Sequence, residues 1–203
     1  MGYNLSTEGY VLKRETVGES FQSCRFFSRE EGLLDCRKRM STQSQLRITP
    51  ELFDHAYLEL EQRHTGKVWF VREYRTLRRF DGLAKRYKSL LYACEFSNIL
   101  DRNLLYLESY ENIFQLLAGS LPHWESSQRP EVTFFKSLFL FVRDEGYAVR
   151  EDWFIQLPNT QRQKVQSLLR RPLNDQKVSE EDAKLLIDSL KKWVTQNTEI
   201  LLN

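Results

Sequence analysis

Apolar and polar residues alternate through the N-terminal part of the chain, and the period then changes. Residues 9–14, Gly9-Tyr10-Val11-Leu12-Lys13-Arg14, read as a short strand followed by the loop Thr16-Val17-Gly18-Glu19-Ser20. A second strand is predicted over 21–27 and a third over 33–37. The turn Ser28-Arg29-Glu30-Glu31-Gly32 joins them, with a glycine suited to positive φ. A polar stretch over 38–49 leads to Pro50. Over 54–62, Ala56, Leu58 and Leu60 fall on one side of a strand and Tyr57, Glu59 and Glu61 on the other. His64-Thr65-Gly66 then closes a hairpin with a long strand over 67–77, rich in the β-formers Val68-Trp69-Phe70-Val71. Five short antiparallel strands in about 75 residues, with one long connection between the third and fourth, suit an OB-type β-barrel.

Beyond Asp81-Gly82 the spacing is helical. Leu83, Tyr87, Leu90, Leu91 and Cys94 mark a first stripe. Tyr110, Ile113, Phe114 and Leu117 mark a second, with Gly119 as its stop. Pro130 opens a third helix at its first turn, with Phe135, Leu138, Phe139 and Val142 as the buried face and Gly146 as its end. A fourth is predicted over 160–170, ahead of Pro172. Ser179 reads as an N-cap, with Glu180, Glu181 and Asp182 in the first turn of a last helix carrying Leu186, Ile187, Leu190, Trp193 and Val194. The expected fold is α+β: an N-terminal five-stranded OB-type β-barrel over 1–80, followed by an all-α helical domain over 81–203.

Composition narrows the class. The chain has 203 residues, 41% of them hydrophobic, enough to bury a core. No stretch approaches the roughly 20 apolar residues of a membrane span, and the N-terminus does not read as a secretory signal. Cys24, Cys36 and Cys94 match no zinc spacing, and their odd number argues against a disulfide framework. A soluble protein of a reducing, cytoplasmic compartment is expected. The net charge of +2 is uninformative, but its distribution is not. Residues 1–80 hold 14 basic against 11 acidic side chains, and residues 81–203 hold 16 against 17.

No phosphate loop, dinucleotide fingerprint or nucleophile elbow is present. His55, His64 and His123 have no ligand partners at metal spacing, with His64 in the hairpin turn and His123 in a loop after Pro122. No catalytic residues and no cofactor are expected, so the chain reads as a binding protein rather than an enzyme. The basic residues of the barrel are the candidate nucleic-acid contacts. Arg37-Lys38-Arg39 leaves the third strand, and Arg47 lies in the polar connection. Arg72, Arg75, Arg78 and Arg79 line the end of the fifth strand, and Lys13, Arg14 and Arg25 lie on the first two. If these converge, they form a groove that tracks a phosphate backbone with salt-dependent affinity. Phe26, Phe27, Trp69, Phe70 and Tyr74 are interleaved with them as candidate stacking residues.

The order of several short motifs resembles the bacterial RecO family of recombination mediators. Glu8-Gly9-Tyr10-Val11-Leu12-Lys13-Arg14, then Gly18-Glu19-Ser20, then Phe26-Phe27-Ser28-Arg29-Glu30-Glu31-Gly32 resemble the opening of that family. Arg37-Lys38-Arg39 stands near the place of its basic run. Phe80-Asp81-Gly82-Leu83 onward resembles the entry to its helical domain, and Gly146-Tyr147-Ala148 resembles a Gly-Tyr that ends a later helix. The resemblance covers roughly residues 8–155. It implies an OB-fold with a helical domain, binding of single- and double-stranded DNA, and strand annealing in DNA repair and recombination at the nucleoid. It also implies as partners a RecR-like protein and the tail of single-stranded-DNA-binding protein. Many members carry a four-cysteine zinc module after the Gly-Tyr. Here Val149-Arg150-Glu151-Asp152-Trp153 follows instead, so no zinc is expected. Lys136, Arg143, Lys164, Arg170 and Arg171 are the candidate contacts for an acidic tail with an apolar end. Two other readings share this fold: an interaction scaffold with weak or no DNA binding, and an RNA-binding OB protein.

Overall fold

A computed structural model describes residues 2–17, 20–40, 49–62, 66–107 and 109–202. The fold is α+β, a five-stranded sheet followed by helices. The strands are β1 (Tyr3–Val17), β2 (Phe21–Ser28), β3 (Gly32–Arg39), β4 (His55–Gln62) and β5 (Trp69–Arg78). The helices are α1 (Asp81–Ala84), α2 (Tyr87–Asn103), α3 (Glu111–Ser126), α4 (Pro130–Asp144), α5 (Asn159–Arg170) and α6 (Glu180–Asn197). The chain divides into two compact units, one of residues 1–80 with 104–114, the other of 81–103 with 115–203.

In the first unit the hydrogen-bonded order runs β1-β2-β3-β5-β4 and returns to β1, so the sheet closes. Most neighbours are antiparallel. β3 and β5 run parallel, through the pairs Cys36↔Trp69 and Arg37↔Phe70. Closure depends on β1, which is far longer than the strand expected over 9–14. Its first half pairs with β4, from Tyr3↔Gln62 to Tyr10↔His55, and its second half pairs with β2, from Gly9↔Ser28 to Val17↔Phe21. Gly9 and Tyr10 pair on both sides, and just beyond them the register with β2 slips between Val11 and Lys13, as a bulge does. Gly9 sits at this corner because a Cβ there would lie 2.0 Å from the Phe27 carbonyl oxygen.

The ring encloses Val11, Cys24, Phe26, Leu34, Cys36, Ala56, Leu58, Leu60 and Tyr74. Residues 104–114 cover part of its outside. The Tyr110 and Phe114 rings pack on Phe27, Phe114 also meets Tyr10, and Glu111 pairs with Arg29. Gly32, at φ +70°, passes under the Tyr110 ring.

The second unit is built on α2, α4 and α6, with Phe96, Trp124, Phe134, Phe135 and Phe141 fully buried. Pro130 opens α4 and Ser179 caps α6, as the sequence predicts. Three expectations fail here. Tyr87 and Leu91, assigned to a buried stripe, are exposed, while Ser89, Ala93, Phe96, Ser97 and Leu100 form the inner face of α2. Gly119 does not end its helix. α3 continues through Gly119 and Pro122 because Leu121 and Trp124 extend the buried stripe of Leu117 by one and two turns. His123 therefore lies on a helix and is exposed there, rather than in a loop. No helix among the described residues is long and apolar enough to cross a membrane.

Candidate nucleic-acid interface

Alternation along a strand sends successive side chains to opposite faces. On β2 and β3 this places Cys24, Phe26, Leu34 and Cys36 inside. The partly or fully exposed Phe21, Ser23, Arg25, Asp35, Arg37 and Arg39 alternate with them on the outer face. Cross-strand register sets the neighbours. Lys13 faces Arg25 and Arg25 faces Asp35, Ser23 faces Arg37, and Phe21 faces Arg39. On the other side of β3, Arg37 lies beside Phe70. The Phe21 and Phe70 rings are 6.4 Å apart, edge to face. This outer face combines two partly buried aromatic rings with a row of cations.

The cations differ in what holds them. Lys13 pairs with Glu15 at 2.9 Å and Arg25 with Asp35 at 3.0 Å. Among the described residues, no carboxylate or other polar group engages the guanidinium of Arg37 or Arg39. Lys38, between them, points the other way. Its ammonium lies 4.8 Å from the centre of the Tyr74 ring, and burial lowers its pKa. The basic run Arg37-Lys38-Arg39 is thus split by strand alternation into two outward arginines and one inward lysine.

Arg14 and Arg79 serve the segment that precedes β4. Arg14 pairs with Glu51 at 2.6 Å. Arg79 bonds the buried Asp54 carboxylate at 3.2 Å and also the Thr49 carbonyl. Tyr74 donates to the same carboxylate at 2.8 Å. Burial, then this hydrogen bond, pushes the Tyr74 phenol well above the ordinary range. Arg75 and Arg78 lie where β5 has left β3 and runs along β4, opposite Tyr57 and His55. Arg75 stacks on Tyr57 and Arg78 on Phe80, while Arg72 pairs with Glu61. Arg47 and His64 lie outside the described residues.

Of the aromatic candidates, Phe26 and Phe27 are fully buried and Tyr74 is 5% exposed, so none offers a ring face to a base. Trp69 is partly buried against the interior. Phe70 remains. Phe21 joins it and was missed by sequence reasoning, although its period-two spacing from Ser23 and Arg25 placed it on the same face.

In the second unit, Lys136 bonds the Arg171 carbonyl at 2.8 Å, and burial lowers its pKa. Arg143 pairs with Asp144, Lys164 with Asp182, and Arg171 with Asp175. Arg170 alone of this set lines a cavity of about 300 Å³, together with Phe139, Arg150, Phe154, Gln166 and Leu169. Arg150 escaped sequence reasoning because its position in a π turn gives no periodic signal.

No group of three or more His, Cys, Asp or Glu side chains among the described residues is placed to hold a metal. No protein-family model matches the chain, and no curated protein matches it.

Proposed function

We propose that the chain is a RecO-like recombination mediator of DNA repair, which holds single- and double-stranded DNA on the outer face of β2 and β3 and promotes annealing and loading without covalent chemistry. The sheet is read as an OB-type barrel. Its order, with β3 and β5 parallel, supports that reading, since the face of strands 2 and 3 is where OB-folds take oligonucleotides. The observation that carries the proposal is the placement of Arg37 and Arg39 beside Phe21 and Phe70. Cations without carboxylate partners neutralise phosphates and release counterions, and the partly exposed rings stack on bases.

Two strands held this way, with their charge partly neutralised, can pair. The protein adds position and charge, so no general base or nucleophile is needed. Lys13, Arg14, Arg25 and Arg72 contribute less, because a phosphate must first displace Glu15, Glu51, Asp35 or Glu61. In the helical unit, the apolar cavity flanked by Arg150 and Arg170 fits a chain end with an apolar side chain and a carboxylate. It is the proposed seat for the tail of single-stranded-DNA-binding protein. A RecR-like partner and a cytoplasmic, nucleoid-associated location belong to the same reading.

A titration of the whole chain with single- and double-stranded DNA at two salt concentrations tests this. Binding is expected at low salt and weakens steeply as salt rises. Arg37→Ala with Arg39→Ala reduces the single-strand salt slope by about 1.4, two contacts at roughly 0.7 each. Absence of DNA binding at low salt overturns the proposal and leaves the scaffold reading, which the neutralised cations favour. Preference for RNA of the same sequence leaves the RNA-binding reading.

A further inference from the structure

Cys24 and Cys36 are directly opposed on the antiparallel strands β2 and β3. Opposed residues in such a ladder have Cα atoms about 4.5 or 5.5 Å apart, according to the type of pair. Disulfides bridge Cα separations of roughly 4.4 to 6.8 Å. Both separations fall within that range. Both side chains point into the ring and are almost fully buried. Cys94 lies in the other unit and is only partly buried.

A second observation concerns access. Cys24 lines a surface depression of about 140 Å³ whose rim carries Lys13, Arg14 and Arg25. The Cys24 side chain turns inward from that surface, so its sulfur lies beneath the floor of the depression. Cys36 is deeper. Its hydrogen bond with Cys24, and then its burial, push its pKa well up and hold it as the thiol. Lys38, two residues beyond Cys36, also turns inward and sets its ammonium over the Tyr74 ring.

We propose that Cys24 and Cys36 form a reversible disulfide inside the closed sheet, with hydrogen peroxide as the oxidant. The Cys24 sulfur, as thiolate, attacks one peroxide oxygen. An S–O bond forms, the O–O bond breaks, and the released hydroxide takes up a proton to leave as water. The Cys36 sulfur then attacks the Cys24 sulfenic acid. An S–S bond forms, the S–O bond breaks, and the hydroxyl leaves as a second water with the Cys36 proton. Two thiols lose two electrons, and one peroxide gains them. The crosslink lies one residue from Arg25 and Arg37, so it ties together the hairpin that carries the outer face. The inference concerns the sulfur chemistry alone and does not depend on whether that face binds DNA.

The sequence separates the three cysteines for the test. Trypsin cuts after Arg14, Arg25, Arg29 and Arg37, which puts Cys24 in peptide 15–25 and Cys36 in peptide 30–37, with Cys94 in 89–102. The folded wild-type chain is treated with hydrogen peroxide, alkylated and digested without reduction. The expected product is 15–25 joined to 30–37, two hydrogens lighter than the sum, and separated again by dithiothreitol. Recovery of both peptides unlinked overturns the proposal, as does a link that appears only after denaturation or only through Cys94. In Cys36→Ser, a cyclic dione is expected to trap Cys24 as the sulfenic acid. An unlabelled Cys24 in a variant of unchanged circular dichroism overturns its role as the attacking sulfur.

Discussion

Asp54 is fully buried, and three groups make that tolerable. Tyr74 and Arg79 donate to its oxygens, and the Glu51 backbone N–H adds a third hydrogen bond at 3.1 Å. Removing the Tyr74 hydroxyl leaves one carboxylate lone pair without a donor, so Tyr74→Phe is expected to cost about 1–2 kcal/mol in a denaturant titration. The phenol also makes stability depend on alkaline pH. Its pKa in the folded chain lies above the ordinary value of 10.0, so the unfolded chain releases this proton first. The contribution is complete below pH 10 and falls as pH rises beyond it. Tyr74→Phe is expected to shrink that alkaline loss of stability, and an unchanged pH profile would count against this account. At this scale the sequence shows charge but not pairing. Arg79 reads as a phosphate contact because its partner, Asp54, lies 25 residues earlier. Lys38 reads as part of a basic run because a strand one residue longer than predicted at its start, and two longer at its end, was needed to turn it inward.

Among the elements, α6 is the most legible. The Ser179 hydroxyl accepts from the Asp182 backbone N–H at 3.1 Å, as a Ser followed by three acids predicts. Ser179→Ala is expected to cost about 1 kcal/mol, read as a lower thermal midpoint. Glu180, in the first turn, hydrogen-bonds Lys184 and then Lys88, which lowers its carboxyl pKa to about 2 from an ordinary 4.5. A depressed carboxyl contributes stability above its unfolded pKa. That contribution fades as pH falls from about 4.5 toward 2. Glu180→Gln is expected to reduce the acid-side loss at low salt and to change little at high salt, because the pair is exposed. Other elements were less legible for a shared reason. The inner face of α2 includes Ser89 and Ser97, small polar residues that a hydrophobicity pattern assigns to solvent. In α3 the burial of Leu121 and Trp124 outweighs a glycine and a proline, local signals that favour a break.

Across the whole molecule, the change of period near residue 80 divides strands from helices, and the chain shows that division. The return of residues 104–114 to the first unit left no mark in the sequence, since Tyr110 and Phe114 fit a helical stripe as well as a cover for Phe27. The basic residues were all visible as candidates, but sequence spacing could not sort them by partner or face. The sorting yields a contrast between variants. Arg79→Ala leaves Asp54 short of its cation and is expected to lower stability by about 2 kcal/mol. Arg37→Ala with Arg39→Ala is expected to leave the unfolding midpoint within about 0.5 kcal/mol, because neither guanidinium is engaged, while weakening DNA binding. Comparable destabilisation by both variants would show that the outer arginines are structural.

The closed ring has a consequence for how partners can be recognised. Open sheets offer an unpaired row of N–H and C=O groups, and an extended peptide can dock there by donating a strand. Here β1 and β4 are hydrogen-bonded to each other from Tyr3 to Tyr10, so such β-augmentation has no margin to begin on along that seam. The same pairing shields that seam from edge-to-edge aggregation. Along the paired stretches a partner meets only side chains that stand on the outer surface, which concentrates both affinity and specificity in a few replaceable residues.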